Sequence, residues 1–345
     1  MRKISKILFA AISSLSLMFS ANAGEVTISG SAKATYNATS GTQVDNTIGI
    51  SNVLSVTASG EMDNGYTWSY SMAMDPDGTD SGTIKNDDTS ITLGMNDMGT
   101  FKVCVSTCGN NKKYAWDASA YGKMSDTGLS EGIVYPDDEG SYATLQYHTP
   151  ELPFGTTASL AYGTPKNDGD GDNAQGVTSG DSANFYSLVT KPIDGLTLSA
   201  SYYEKNDYGN GTNDSAQQGE QGGAYAAKYA YGNLTLGYGK SFKDVESNTA
   251  VTGSDEVEFY ENTGISIGYA VNDELSVSYT TETGENNYRA ADTTEYDIEM
   301  DSIQIAYSLG GATLSLARTD YENIGYSNAV STDATETFIA MSFAF

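Results

Sequence analysis

Apolar side chains alternate with polar or small ones at a period of two residues through most of the chain. The last segment shows the pattern: one face holds Ile339, Met341, Phe343 and Phe345, and the other holds Ala340, Ser342 and Ala344. Such alternation is typical of a β-strand that separates two different surroundings. The pattern recurs about sixteen times, with no amphipathic helix to cover the apolar faces. We therefore expect these faces to contact lipid.

Tight turns alternate with long polar connections between these segments. Residues 63–65, 232–233 and 310–311 carry short turn signals, whereas 165–182 and 207–222 are long and polar. Membrane β-barrels have short periplasmic turns, long outer loops and an even number of strands. A chain of 345 residues leaves roughly 20 residues for each strand and its connection. The sequence predicts an all-β fold, a transmembrane antiparallel β-barrel of about 16 strands, wide enough to hold a water channel.

The first 23 residues have the pattern of a cleaved secretory signal peptide. Arg2, Lys3 and Lys6 form a basic start, residues 7–19 are mostly apolar, and residues 21–23 read Ala-Asn-Ala. We therefore expect residues 24–345 to form the barrel domain of an exported protein. No later window approaches the roughly 20 apolar residues of a membrane-spanning helix, which argues against a helical membrane protein.

The mature chain is strongly acidic. Because the signal peptide contains three basic residues and no acidic one, the remainder carries 14 basic and 45 acidic residues, a net charge of −31. This charge argues against a nucleic-acid partner and predicts that a channel built from the chain prefers cations. Aromatic residues at 11% and the persistent alternation argue against disorder.

One long segment early in the chain, residues 107–140, shows no sustained alternation. A connection of that length inside a compact domain usually has a function. Cys104 and Cys108 flank its start. Fully extended, their Cα atoms would lie roughly 13 Å apart, beyond the roughly 7 Å limit for a disulfide, so a bond requires a turn there. A metal site at this pair lacks partners because His148 is the only histidine, so a disulfide is the favoured hypothesis.

Together, the signal peptide, the strand-and-turn rhythm, the long connection after the fifth strand and the ending Met-Ser-Phe-Ala-Phe at 341–345 resemble the Gram-negative general porins. These are trimeric, sixteen-stranded diffusion channels of the outer membrane. The resemblance implies that residues 107–140 form an infolded third loop, whose acidic residues face basic residues of the barrel wall at a constriction.

The resemblance, combined with the two-residue period, gives the candidate site residues. The candidate acidic residues of the loop are Asp117, Asp126 and Glu131, and the inward lysines of the wall are Lys33, Lys102 and Lys228. General porins usually carry an arginine cluster on the wall. The only arginines of the mature chain are Arg289 and Arg318, which predicts a weaker transverse field.

The predicted function is passive diffusion of small hydrophilic solutes and ions. A substrate-specific porin is one alternative, and it should show a line of inward aromatic side chains, for which Tyr203 is a candidate. A receptor or adhesin barrel is another. An enzyme is disfavoured, because outer-membrane barrel hydrolases usually pair a histidine with an acid or serine, and His148 is predicted beside a periplasmic turn.

The expected partners are outer-membrane lipid and lipopolysaccharide, two further copies in a homotrimer, and the barrel-assembly machinery, which would recognise the last strand ending at Phe345. No cofactor is expected, apart from Ca²⁺ or Mg²⁺ at acidic outer loops. Asp168, Asp170 and Asp172 have calcium-loop spacing. The match is weak, since Asn173 takes the usual glycine position and Ser179 the position of the final glutamate.

Overall fold

The structure is a computed structural model, and it describes eleven stretches of the chain. They are residues 24–41, 46–76, 84–105, 109–123, 132–137, 142–165, 182–205, 220–244, 257–288, 295–327 and 332–345. The predicted signal peptide, 1–23, lies outside them and stays a prediction.

Sixteen antiparallel strands form one closed sheet. Each strand pairs with the next along the chain, and the first pairs with the last. The strands are β1 Glu25–Gly41, β2 Asn46–Glu61, β3 Thr67–Pro76, β4 Ile84–Gly94, β5 Thr100–Val105, β6 Tyr142–His148, β7 Thr157–Pro165, β8 Ala183–Ile193, β9 Leu196–Lys205, β10 Gln221–Tyr231, β11 Leu234–Asp244, β12 Val257–Ala270, β13 Leu275–Tyr288, β14 Ile298–Leu309, β15 Ala312–Glu322 and β16 Ala334–Ala344. The predicted sixteen-stranded all-β barrel is confirmed.

The two faces of the sheet differ as the alternation predicts. In β14, Ile303 and Ile305 are exposed, while the alternate residues Ser302 and Gln304 are fully buried. Exposed large apolar side chains occupy one face of nearly every strand. The other face is mostly small or polar, with buried large residues such as Ile298, Met300 and Phe338. We assign the apolar face to the outside, because apolar side chains there meet hydrocarbon, whereas the polar face suits a lumen.

Short connections lie at one end of the barrel. The turns at 194–195, 232–233 and 310–311 each join adjacent strands through two residues. Gly195, Gly232 and Gly310 adopt positive φ in these turns, a backbone region that glycine enters at little cost. The longer connections lie at the opposite end, including the one from β5 to β6 that contains the predicted constriction loop.

In the residues that the structure describes, helical structure is limited to two single 3₁₀ turns, Asn96–Met98 and Pro153–Gly155. Within the described stretches, no helix has the length and apolar character needed to cross a membrane.

Lys240 and Arg318 lie on the apolar outer face. Lys240 forms an ion pair with Glu261, and the Nη2 atom of Arg318 lies 3.6 Å from a carboxylate oxygen of Asp320. The pairing register is continuous on both strands at these positions, so no bulge turns either side chain inward.

Candidate pore constriction

The described part of the β5–β6 connection, 109–123 and 132–137, lies against the inner faces of distant strands. Its backbone N–H groups donate to inward serine side chains: Lys112 to Ser201 of β9 at 3.0 Å, Ala118 to Ser266 of β12 at 3.0 Å, and Ala120 to Ser278 of β13 at 2.8 Å. These hydroxyls satisfy N–H groups that have no ladder partner in an irregular segment. We call 109–123 and 132–137 together the wall segment.

Gln304 of β14 binds the backbone of the wall segment at residues 121–122. Its Oε1 atom accepts hydrogen bonds from the N–H groups of Tyr121, at 2.9 Å, and Gly122, at 3.2 Å. Its Nε2 atom donates to the carbonyl oxygen of Gly122 at 2.8 Å. One buried side chain therefore satisfies three backbone groups of the wall segment, and it does so on a strand far from β5 and β6 in the ring.

Trp116 fills a depression in the inner faces of β11 and β12. The residue is buried, and its indole Nε1 donates to the carbonyl of Lys113 at 2.9 Å. Beneath it the strands carry Gly237, Gly239 and Gly264. A Cβ atom built on any of them would come within 1.7–2.1 Å of Trp116 atoms. The absence of side chains there lets the ring lie directly on the sheet.

The two parts of the wall segment also bind each other. The Nδ2 atom of Asn111 donates to the carbonyls of Pro136, at 3.2 Å, and Asp137, at 2.8 Å. The rings of Tyr114 and Tyr135 lie 5.1 Å apart, and the Nζ atom of Lys113 lies 5.5 Å and 5.6 Å from their centroids. These contacts therefore hold the two parts of the wall segment to each other, while the serine and glutamine contacts hold the segment to the barrel wall.

Asp137 attaches the end of the wall segment to a cluster of charges on β9, β11 and residue 220. Its carboxylate lies 3.2 Å from Nζ of Lys205 and 2.7 Å from Nζ of Lys243, and both lysines also contact Glu220. Burial alone would raise the pKa of Asp137. Hydrogen bonds to Lys243 and Glu220, together with the charges of the two lysines, outweigh burial and hold the pKa below its ordinary value. The ion pairs therefore favour the charged, docked form.

Of the three predicted acidic loop residues, Asp117 is in the described part of the chain. Its Oδ1 atom accepts hydrogen bonds from the backbone N–H of Ser119 at 3.0 Å and from the Ser119 hydroxyl at 2.6 Å. That hydroxyl also lies 2.8 Å from Oγ1 of Thr280 on β13. Asp126 and Glu131 lie outside the described residues.

The three predicted wall lysines have different surroundings. The Nζ atom of Lys228 donates to the backbone carbonyl of Asp117 at 2.7 Å, and that of Lys33 lies 5.7 Å from the ring centroid of Tyr121. Both therefore contact the wall segment. Lys102 lies on the face of β5 opposite the exposed Phe101 and Val103.

Sequence reasoning missed several residues of this arrangement. The wall segment carries Lys112, Lys113 and Lys123 in addition to Asp117, so its described part is not an acidic surface. The sequence contained a signal for the tryptophan contact as well. Gly237 and Gly239 occupy successive inward positions of one strand, and glycine in a strand often marks the close approach of another group.

Cys104 is disulfide-bonded, whereas Cys108 lies outside the described residues, so their pairing stays a prediction. Asp168, Asp170 and Asp172 also lie outside the described part of the chain. Within that part, no group of three histidine, cysteine, aspartate or glutamate side chains is arranged to hold a metal ion.

The substrate-specific alternative predicts a line of inward aromatic side chains, and inward aromatic residues do occur near β6 to β9. Tyr203 lies 6.0 Å from Phe185, which lies 5.3 Å from Tyr142, measured between ring centroids. All three are buried against one another. They fill space between strand and loop and do not offer ring faces to a passing solute.

A closed barrel with an apolar exterior and a polar interior defines a transmembrane β-barrel protein of the outer-membrane type. The sequence profile of the family described as Gram-negative porin matches residues 9–344. The chain belongs to this family and is located in the outer membrane. Members of the family are non-enzymatic channels and outer-membrane trimers in contact with lipid and lipopolysaccharide.

Solved porins share the fold at low sequence identity. A loop-deletion variant of OmpT from Vibrio cholerae superposes with a TM-score of 0.68 at 15% identity, covering 94% of this chain and 100% of its own. OmpF of Salmonella typhi, in complex with daunomycin, gives 0.64 at 14% identity, covering 94% and 98%. A further refined porin gives 0.65 at 13% identity, covering 93% and 100%. No curated protein sequence matches the chain.

Proposed function

We propose that the chain forms a water-filled channel for passive diffusion of small hydrophilic solutes and ions, with residues 107–140 as the infolded constriction loop. One observation carries the proposal: 109–123 leaves the barrel between β5 and β6, yet is hydrogen-bonded to inward side chains of β9, β12, β13 and β14. A connection that reaches those strands from inside a closed barrel must narrow the lumen.

The predicted charges of the constriction are part of the proposal. Asp117, Asp126 and Glu131 would line the loop side, and Lys33, Lys102 and Lys228 the barrel wall. Opposed charges across a narrow pore orient dipolar solutes and select ions by sign. We propose a cation preference from the net charge of −31. The preference should be mild, because Lys112, Lys113 and Lys123 lie on the loop itself.

We also propose that residues 1–23 direct export and are removed, and that the barrel assembles as a homotrimer in contact with lipopolysaccharide. The last strand, ending at Phe345, would be the segment read by the assembly machinery. Support comes from the basic, apolar and small-residue order of 1–23 and from the alternation in β16.

Reconstitution into a planar bilayer tests the channel. Purified protein should give stable conductance steps, and a membrane that stays electrically silent would contradict channel function and favour a receptor or adhesin barrel. The zero-current potential under a KCl gradient tests selectivity. We expect a modest potential of the sign for K⁺ preference, and clear preference for chloride would overturn that part.

A further inference from the structure

Trp116 is seated on three inward glycines that the backbone itself does not require. Gly237, Gly239 and Gly264 lie in regular, continuously paired stretches of β11 and β12, and none has the positive φ that favours glycine. Glycine weakens a strand interior because it costs conformational entropy and packs no side chain. Trp116 accounts for their small size, because its ring lies over Gly239 and Gly264 and its backbone carbonyl lies over Gly237.

Two of the three clashes are specific to the tryptophan side chain. A Cβ atom on Gly264 would lie 2.0 Å from Cζ2 of Trp116, and one on Gly239 would lie 2.1 Å from Cδ1. A Cβ atom on Gly237 would lie 1.7 Å from the Trp116 carbonyl oxygen. The ring is rigid and buried, so it cannot relieve such contacts by rotating its end, as a lysine could.

We call Gly237, Gly239 and Gly264 the glycine seat. The glycine seat also determines where neighbouring groups lie. Two residues after the tryptophan, Ala118 donates its N–H to Ser266, and a Cβ atom on Gly268 would lie 2.5 Å from the Ala118 carbonyl oxygen. Between them, the carbonyl of Asp117 accepts a hydrogen bond from Lys228. The seat therefore lies directly beneath the part of the loop that carries the predicted constriction acid.

We propose that Trp116 and its glycine seat set the cross-section of the pore. Trp116 is a positioning residue: buried under the loop, it touches no solute, but it fixes how closely the loop lies to the wall. The loop lies between the barrel wall and the water of the pore, so any side-chain atom added beneath it moves the loop toward the pore axis. This inference rests on the proposed channel function, because cross-section has meaning only for an open pore.

The test is Gly264→Ala, which adds one methyl group beneath the ring. To restore a carbon contact of about 3.5 Å, the ring must move by about 1.5 Å. We expect single-channel conductance to fall by roughly a quarter to a half, because the displaced loop narrows the pore. The fractional loss should be equal in about 0.1 M and about 1 M KCl, since a steric effect is not screened by salt.

Two controls separate positioning from general damage. Gly49→Ala makes the same change on the inner face of β2, where the nearest atom to the new Cβ is the Thr35 side-chain oxygen, and should leave conductance at the wild-type value. The double variant Trp116→Ala with Gly264→Ala should conduct like Trp116→Ala alone, because the methyl group then meets no ring. Such non-additivity is expected of residues in direct contact.

The inference is overturned if Gly264→Ala conducts like the wild type, if Gly49→Ala lowers conductance equally, or if the double variant stays as low as Gly264→Ala. Heat-modifiable migration on gels checks the barrel in every variant. If Gly264→Ala fails that check, Gly239→Ala replaces it with the same expected result. A wild-type protein that does not conduct contradicts the proposed function instead, so the two failures are distinguishable.

Discussion

The inner face of the barrel consists of two unlike regions. The open wall, formed by β2 to β5, carries side chains such as Thr47, Ser51 and Ser59 that remain exposed, and no residue of β2 is buried. The covered wall, formed by β10 to β14, is buried by the wall segment, and the inward side chains of β14 from Ile298 to Ala306 are all buried. Most inward positions of both walls are polar or small in sequence, although Ile298 and Met300 of β14 are large and apolar.

The difference shows that an inward polar position is not necessarily a pore-lining position. On the open wall a hydroxyl is free to meet water. On the covered wall the same residue type binds the backbone of the loop, as Ser266 and Ser278 do. The covered wall thus behaves as a protein interior, where an unpaired polar group is costly.

The largest expected effect is on the covered wall, from Gln304→Leu. The change leaves three backbone groups of Tyr121 and Gly122 without their partner, and stranding a buried polar group costs about 1–3 kcal/mol. We expect docking of the wall segment to weaken by about 3 kcal/mol. The weakening should appear as increased open-channel noise and as new protease cleavage within 109–123. Thr57→Val, an inward change on the open wall, should show neither. Equal noise in the two variants would erase the distinction between the walls.

The next effect concerns the ion pairs of Asp137. Because its pKa is lowered in the folded protein, its stabilising contribution is present above the ordinary value of about 3.9 and is lost as pH falls through the lowered value. Channel noise should be flat between about pH 5 and pH 8 and rise below about pH 4.

Asp137→Asn should reproduce that noise at neutral pH, because Lys205 and Lys243 would then share only the charge of Glu220. Asp244→Asn is the matched control: its carboxylate accepts a hydrogen bond from Gln221 and takes no part in the cluster. Quiet channels from Asp137→Asn at pH 7 would show that these ion pairs do not hold the loop.

A smaller effect separates two inward lysines. Lys228→Met removes a hydrogen bond to the loop, so any change in conductance should be similar in about 0.1 M and about 1 M KCl. Lys102→Met removes a charge from the open wall and should raise K⁺ preference in dilute salt only, because screening suppresses it in concentrated salt. The same salt dependence for both variants would contradict the assignment of different roles.

The smallest effect lies outside the lumen, at Arg318→Gln. Its contact with Asp320 is 3.6 Å long and lies on the outer face, away from the wall segment and the lumen, so its loss leaves the docking contacts intact. We expect the gel unfolding temperature and the conductance to match those of the wild type. A clear drop in either would place this pair in a more constrained environment than its exposure indicates.

The number of strands and the side of the sheet to which each residue points followed from the sequence, because hydrocarbon outside and water inside impose both. Hydrocarbon and water select opposite residues at alternate positions, as Ile303 and Gln304 show. The rule fails where that contrast is missing. In β8 both Phe185 and Tyr186 are aromatic, and only the structure assigns the first inward and the second outward.

The docking of the loop could not be predicted in the same way. It depends on pairs such as Ala118 and Ser266, which are 148 residues apart, and on the match between Trp116 and a gap left by glycines. Periodicity describes each strand by itself and contains no information about which strand a distant loop will contact. The acids Asp117, Asp126 and Glu131 were chosen by resemblance, and the lysines Lys112, Lys113 and Lys123 were overlooked although they stand in the same stretch.

The junction of β1 and β16 has a consequence for how the molecule forms. There Asn37 binds Glu336, 299 residues away, and the backbone of Phe345 exchanges hydrogen bonds with Gly30. Until these partners meet, the sheet is open and has two unpaired edge strands. Either edge can pair with a strand of another molecule. Closure joins residues at opposite ends of the chain, so it carries the loop-closure entropy of nearly the whole barrel. The pairing of β1 with β16 thus separates a closed barrel from an open sheet that is able to polymerise.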